Sequence, residues 1–162
     1  MQPEVSVVMA VFNGEDYLQE AVNSILKQTY RNFEFIIIND GSHYHTKEIL
    51  DRIPDPRVKT YHFRKNRGVS FGRNFGIQKA IGRWIVLQDD DDISHPTRIE
   101  QQLRYIKSNP GLVAAGCLVQ FIEGKTPVGE EFLKRHERKI DQFRTRKLIN
   151  IRRFYGPPFC FS

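Results

Sequence analysis

The sequence predicts an α/β fold: a Rossmann-like, mainly parallel sheet with helices on both faces. Three observations predict it. First, apolar runs rich in β-branched residues recur at residues 5–12, 33–38 and 84–87. The first two read as buried strands, the first on both faces, and 84–87 as a further strand. Second, the segments between them carry apolar residues at helical spacing. Third, polar clusters follow three runs directly: Asn13-Gly14-Glu15, Asn39-Asp40-Gly41-Ser42 and Asp89-Asp90-Asp91-Asp92. Strands alternating with helices give a parallel sheet, and ligands of such sheets bind beyond the carboxyl ends of the strands. The three clusters are therefore expected on one rim.

Each element has a local reason. After the first strand, Asn13 reads as a helix N-cap with Glu15 and Asp16 in the first turn. Leu18, Ala21, Val22, Ile25 and Leu26 then place an amphipathic helix over residues 15–28. A short helix over 46–53 ends before Pro54 and Pro56. Residues 57–63 alternate enough for a third strand. Asn66-Arg67-Gly68 is a turn, and residues 69–81 read as a helix with Val69, Phe71, Phe75, Ile77 and Ala80 as its apolar residues and Gly82 as its stop. Ser94 and Pro96 open a helix over 97–107, which Asn109-Pro110-Gly111 ends. A fifth strand is expected over 112–122, and a weakly patterned helix over 130–150.

A length of 162 residues suits one domain, and such a chain buries enough surface to fold without staples. With 40% hydrophobic and 27% charged residues the chain reads as globular and not disordered. Its apolar runs fall far short of the ~20 residues of a membrane span. Cys117 and Cys160 lack metal-ligand spacing and suit a reducing compartment, so a cytoplasmic location is expected. The net charge of +6 is concentrated late, with nine basic and two acidic residues in 134–153. Such a block suits anionic lipid, nucleic acid or a phosphorylated substrate, and its plainest reading is a solvated helix face. No helix-turn-helix, zinc or RNP-type pattern accompanies it, so no nucleic-acid partner is expected.

The chemistry sits in the aspartates. Four in a row after a buried strand repel one another and call for a counter-charge, naturally a hard divalent cation such as Mn²⁺ or Mg²⁺ shared with phosphates. Asp89 and Asp91, two apart in an extended segment, could share one ion; an exposed acidic loop is the plainer alternative. Asp40 could accept a hydrogen bond from a nucleobase or ribose, or simply form an Asx-turn with Gly41. Arg73 could reach a diphosphate with its planar fork, or be a surface arginine. His43 and His45 flank Tyr44 with nothing nearby to complete a metal site.

In this order the segments resemble glycosyltransferase family 2, the inverting nucleotide-sugar transferases of the GT-A fold. The matching pieces are Val5-Ser6-Val7-Val8-Met9-Ala10-Val11-Phe12-Asn13, Ser24-Ile25-Leu26-Lys27-Gln28-Thr29-Tyr30 and the strand running into Asn39-Asp40-Gly41-Ser42. Asn66-Arg67-Gly68, Arg73-Asn74-Phe75-Gly76 and Gln88-Asp89-Asp90-Asp91-Asp92 with Pro96 and Glu100 complete the pattern over about residues 4–116.

The resemblance implies roles at these positions. Ala10 and Phe12 line the base pocket, and Asn13 belongs to the same nucleotide-sugar site. Asp40 hydrogen-bonds the base, Asn66 and Arg73 help hold the nucleotide, and Asp89 and Asp90 approach the ribose or the metal. Asp91 is the principal metal ligand, with Asp89 beside it. The implied donor is a nucleotide-diphosphate sugar, with a UDP-sugar expected, and the cofactor a divalent cation, Mn²⁺ or Mg²⁺. The acceptor, a glycan or a lipid-linked molecule, is not readable, and cell-surface polysaccharide or glycan synthesis is the expected setting.

Tyr44 stands where the family usually has Asp, and Ser42 is the substitute cap. The family's general base lies in a later acidic motif, and no residue after Asp141 is Asp, Glu or His. No catalytic residue is therefore assigned. The expectation is a donor-binding core over 1–122 and an incomplete start of the acceptor side over 123–162, truncated at the C-terminal end. Residues 134–153 could contact the inner face of a membrane peripherally. The alternative is a catalytically silent nucleotide-sugar-binding module. A nucleotidyltransferase is disfavoured because Phe12-Asn13-Gly14-Glu15-Asp16 is acidic where a glycine-rich basic phosphate loop belongs.

Overall fold

The computed structural model describes residues 2–117. Four strands, β1 (Val5–Val11), β2 (Phe33–Asp40), β3 (Val58–Phe63) and β4 (Trp84–Gln88), form one parallel sheet in the order β3-β2-β1-β4. Four helices separate or follow them: α1 (Leu18–Leu26), α2 (Tyr44–Asp51), α3 (Val69–Lys79) and α4 (Arg98–Ser108). Val5 is in register with Phe33 on one side and Trp84 on the other, and Phe35 with Val58.

The apolar runs become the two central strands because both faces of them are covered. Val5, Val7, Met9, Val11, Phe35 and Ile37 face Leu18, Ala21, Val22 and Ile25 of α1, Leu50 of α2, and Ile99 and Leu103 of α4. Val8, Ile36 and Ile38 face the other way, toward Phe75 and Ile77 of α3. Each such side chain contributes about 1.5–3 kcal/mol on burial. The expected helices on both faces are present, three on one side and α3 on the other.

The face that α3 presents matches the expected one only in part: Phe75, Ile77 and Ala80 pack on the sheet, but two glycines make the closest approach. The buried residues of α3 are Gly72 and Gly76, while Val69 is 53% exposed. A Cβ at Gly72 would lie 2.8 Å from that of Ala10, and one at Gly76 would collide with Val8 and come within 2.7 Å of Ile38. The helix backbone thus lies directly on β1 and β2, and the aromatic residues flank that contact. Phe75 and Phe71 meet Phe63 edge-on at centroid distances of 5.0 and 5.2 Å.

Helix starts also differ. Asn13 does not cap α1: its φ is +53°, and α1 begins at Leu18 after a turn in which the N–H groups of Tyr17 and Leu18 donate to the Gly14 carbonyl. Glu15 is drawn off to Thr46, whose hydroxyl donates to it at 2.7 Å and is buried under α2. Helix α2 begins at Tyr44, two residues early, with His43 as a cap that makes no side-chain bond. Ser94 does not cap α4; instead Gln28, fully buried past the end of α1, accepts the Ile99 N–H at 3.0 Å and donates to the His95 carbonyl at 2.7 Å. A side chain from the segment just after α1 so supplies an N-terminal acceptor that α4 lacks locally. Residues 112–117 form no strand. The rest of the expected fifth strand, the 123–162 region and the basic 134–153 block lie outside the described residues.

Candidate nucleotide-binding rim

The chain runs from β1 outward through β2 to β3, then returns to place β4 on the other side of β1. That reversal makes the gap between the carboxyl ends of β1 and β4 the switch-point crevice, where ligands of open parallel sheets bind. Phe12 and Asn13 follow β1 on one side of it, and the 89–92 segment follows β4 on the other.

Three sets of contacts tie expected site residues into this rim. The first joins β1 to β2. The Asn13 N–H donates to Ser42 Oγ at 3.0 Å, and Asn13 Oδ1 accepts the His43 N–H at 2.9 Å. Asn13 adopts a left-handed conformation open to few residues other than glycine and asparagine, and these two bonds hold it there. Ser42 is therefore a bracket between loops and not a helix cap.

The second set joins β2 to the β3–α3 turn. Asp40 Oδ2 accepts the N–H groups of Arg67 at 2.9 Å and Gly68 at 2.7 Å, and Asn66 Oδ1 accepts the same Gly68 N–H at 2.9 Å. The side-chain bond that closes this corner comes from Asn39, whose Oδ1 accepts the Ser42 N–H three residues on at 3.0 Å, and not from Asp40. Asp40 is 2% exposed, and its second oxygen, Oδ1, is buried without a partner among the described residues. A buried carboxylate oxygen whose lone pairs accept no hydrogen bond is costly unless a donor arrives. Beside this turn a cavity of about 530 Å³ is lined by His62, Phe63, Arg64, Lys65, Asn66 and Arg67. Ala10 and Phe12, the expected base-pocket residues, are not in its lining: Ala10 lies beneath Gly72 of α3, and Phe12 is 47% exposed beyond β1.

The third set crosses the crevice. Arg73 of α3 forms an ion pair with Asp89, so it is no loose surface arginine. Residues 89–92 are a turn and not the extended segment expected, closed by the Asp92 N–H on the Asp89 carbonyl at 3.4 Å. The turn sends its carboxylates to different places. Asp89 meets Arg73, the Asp90 carboxylate lies against Gly14, where a Cβ would strike it, and Asp91 and Asp92 are exposed. Burial, with the nearby charges of Asp91, Asp89 and Asp92, pushes the Asp90 carboxyl up to about 6. The inner part of Asp92 is desolvated by the turn although its surface is open, and this, with the charges of Asp89 and Asp91, raises its carboxyl against the opposing charge of Arg98.

The donor set is all oxygen, which fits a hard cation. Among the described residues no three His, Cys, Asp or Glu side chains converge into a cage. The arrangement fits an ion held by one or two carboxylates and completed by phosphate oxygens and water, which is how Mg²⁺-type ions usually bind.

The spacing of the motifs did not reveal what holds this turn. Gln88, Ser94 and Arg98 form a polar cluster beneath it, with Gln88 2% and Ser94 7% exposed. The available signal was a glutamine inside an otherwise apolar strand, since a buried amide must find partners.

The sequence profile described as glycosyl transferase family 2 matches residues 6–162. An uncharacterized glycosyltransferase of Haemophilus influenzae is 36% identical over 125 residues, which cover 76% of this chain and 39% of that protein. The S. aureus TarS 1–349 structure in complex with UDP-GlcNAc superposes with a TM-score of 0.62 at 21% identity, over 71% of this chain and 38% of that one. A mannosyltransferase from Pyrobaculum calidifontis in complex with GDP-Man and Mn²⁺ gives 0.61 at 20% identity, over 68% and 34%. At these identities the structures speak for the fold. The chain spans less than half the length of the curated relatives it matches.

Proposed function

The chain belongs to glycosyl transferase family 2, and from that premise we propose that it binds a nucleotide-diphosphate sugar at the rim and serves transfer of the sugar to an acceptor hydroxyl with inversion. The observation that carries this reading is the buried, unpartnered Asp40 Oδ1 at the carboxyl end of β2. It is an acceptor in want of an N–H, and the imide of a uracil or the amide face of a guanine offers one. UDP is the favoured nucleotide, in keeping with the UDP-GlcNAc held by TarS, and GDP, held by the mannosyltransferase, is the competitor.

Each residue then has a task. Asp40 orients the base through Oδ1 while its other oxygen holds the Arg67–Gly68 turn. Phe12, half exposed beyond β1, offers an aromatic face to the base, and Asn66 borders the nucleotide's approach, while Ala10 acts only from beneath α3 by leaving room for its backbone. Arg73 presents its guanidinium where a diphosphate meets the acidic turn. Asp91, with Asp89, would hold Mn²⁺ or Mg²⁺, and Asp90 backs them from the β1 side. When bound, the cation supplies positive charge to the diphosphate leaving group. A carboxylate must take the acceptor proton, and no residue described here is assigned that role.

Binding of the nucleotide sugar and turnover are separate parts of this proposal, and a module that binds without turnover is the alternative reading. Among the described residues no helix is long and apolar enough to cross a membrane, and contact of 134–153 with an anionic membrane remains a separate proposal. The reading is tested by calorimetric titration of UDP and GDP with Mn²⁺ and with EDTA, on the wild type and Asp91→Ala. Metal-dependent binding lost in the variant supports it. A folded chain that binds neither nucleotide under any condition overturns it. Release of sugar from UDP-GlcNAc separates enzyme from module.

A further inference from the structure

The polar cluster beneath the acidic turn carries an inference that rests on the nucleotide-sugar reading. The Gln88 carboxamide uses its whole hydrogen-bonding capacity on the turn and its support. Nε2 donates to the carbonyls of Asp89 at 3.0 Å and Asp92 at 2.7 Å. Oε1 accepts from Ser94 Oγ at 2.6 Å and Arg98 Nη1 at 2.8 Å. The orientation of the amide is fixed by chemistry, because a carbonyl can only accept and a guanidinium can only donate. Arg98 also donates to Ser94 Oγ at 2.8 Å and to the Leu87 carbonyl at 3.0 Å, and the Ser94 N–H is held by Ser24 Oγ at 3.0 Å.

We infer that Gln88 is the positioning residue of the metal–diphosphate site: its amide draws the two end carbonyls of the 89–92 turn inward and thereby fixes the carboxylates at the crevice. Both anchored carbonyls belong to residues that bracket Asp90 and Asp91, so the turn has little freedom left once they are held. A leucine could fill the strand position but could not donate. A glutamate could keep Ser94 and Arg98 but would set an oxygen against both carbonyls. Arg98, bonded to the far side of the amide, places a fixed positive charge under a turn bearing four carboxylates, which offsets part of their repulsion before any cation arrives.

The test uses the full chain with Gln88→Glu and Gln88→Met. Three quantities are read: UDP affinity in EDTA, the gain in that affinity on adding Mn²⁺, and hydrogen–deuterium exchange of the Asp92 and Ser94 amides without ligand. GDP replaces UDP if the wild type binds only GDP. The expected result is a Mn²⁺-dependent gain at least tenfold smaller in both variants, metal-free affinity within twofold of wild type, and at least tenfold faster exchange at both amides. Gln88→Glu adds a negative charge, which by Coulomb attraction alone would tighten cation binding, so a loss there reports geometry. A Mn²⁺ gain within twofold of wild type, or wild-type exchange at both amides, overturns the inference. If the wild type binds neither nucleotide, the functional reading fails, and the exchange rates still decide whether Gln88 holds the turn.

Discussion

Arg73 on α3 and Asp89 just beyond β4 form an ion pair that ties the helix on one face of the sheet to the acidic turn at its edge. The arginine side chain is 14% exposed and the aspartate 48%, so the pair is buried on one side and screened by water on the other. Removing the guanidinium leaves Asp89 beside three more carboxylates. With half-exposed geometry the stability cost of Arg73→Ala is about 1 kcal/mol, read as a lower denaturation midpoint, and it shrinks in high salt. Combined with Asp89→Asn in a double-mutant cycle, the two changes should be less than additive. Strict additivity would show that the pair contributes nothing.

Helix α3 can be tested through its glycines. Gly76→Ala drives a methyl into Val8 and Ile38 of the sheet, and both are fully buried with no room to yield. Overpacking of this kind costs about 1–3 kcal/mol. Gly116→Ala, where an added Cβ meets nothing within 4 Å, is the control and should stay within about 0.5 kcal/mol. Equal midpoints for the two variants would mean that α3 does not lie as close to β1 as described.

At the opposite rim from the site, Glu34 is 4% exposed and bonded by Ser6 Oγ at 2.6 Å, the Ile81 N–H at 2.8 Å and Lys59 Nζ at 2.8 Å. Burial alone would raise its carboxyl, but the bonds from Lys59, Ser6 and Ile81 together outweigh burial and hold it below the ordinary 4.5. A depressed carboxyl stabilises the fold fully above its unfolded value, and that contribution is lost as pH falls through the folded value. Lys59 is raised above 10.5, first by its bond to Glu34, so its share persists below that value and is lost as pH rises beyond it. Stability against urea should therefore hold level across neutral pH and drop below about pH 4.5. Glu34→Gln should flatten that acid drop and cost on the order of 1–3 kcal/mol at pH 7. An unchanged acid limb in the variant would assign the drop to other carboxylates.

The two central strands were legible because burial on both faces leaves no alternation to misread: all eight residues of β2 are buried. Asp40 and Asp89 drew attention as polar residues directly after strands, whereas Arg73, in the middle of α3, was marked only by the Arg73-Asn74-Phe75-Gly76 segment. What escaped depends on long-range returns of the chain. Asn13 looks like a helix cap until Ser42 and His43, about thirty residues on, come back to occupy it. Gly72 and Gly76 look like weak points in a helix until the sheet beneath requires their missing side chains. Gln88, Ser94 and Arg98 follow no helical or strand period, since the loop over 89–97 folds back onto the end of β4. Local propensity cannot contain such partners, whereas the polarity of a buried strand residue does signal that some partner exists.

Asp40 offers the sharpest separation of function from stability. Asparagine is nearly the same shape, and its one carbonyl oxygen can still accept from Arg67 and Gly68 in place of Asp40 Oδ2. Its amide nitrogen would then stand where Oδ1 is now buried without a partner. A stranded acceptor becomes a donor, and a base that presents N–H at that point is met by N–H. The fold should change by no more than about 1 kcal/mol, because one buried unpaired oxygen is exchanged for a buried unpaired amide group. UDP affinity should fall at least tenfold, which corresponds to about 1.4 kcal/mol of binding. Parallel thermal melts and calorimetric titrations of wild type and Asp40→Asn decide it. A variant that melts earlier yet binds UDP as well as wild type would assign Asp40 to the architecture of the β3–α3 turn alone and leave recognition of the base to other residues of the rim.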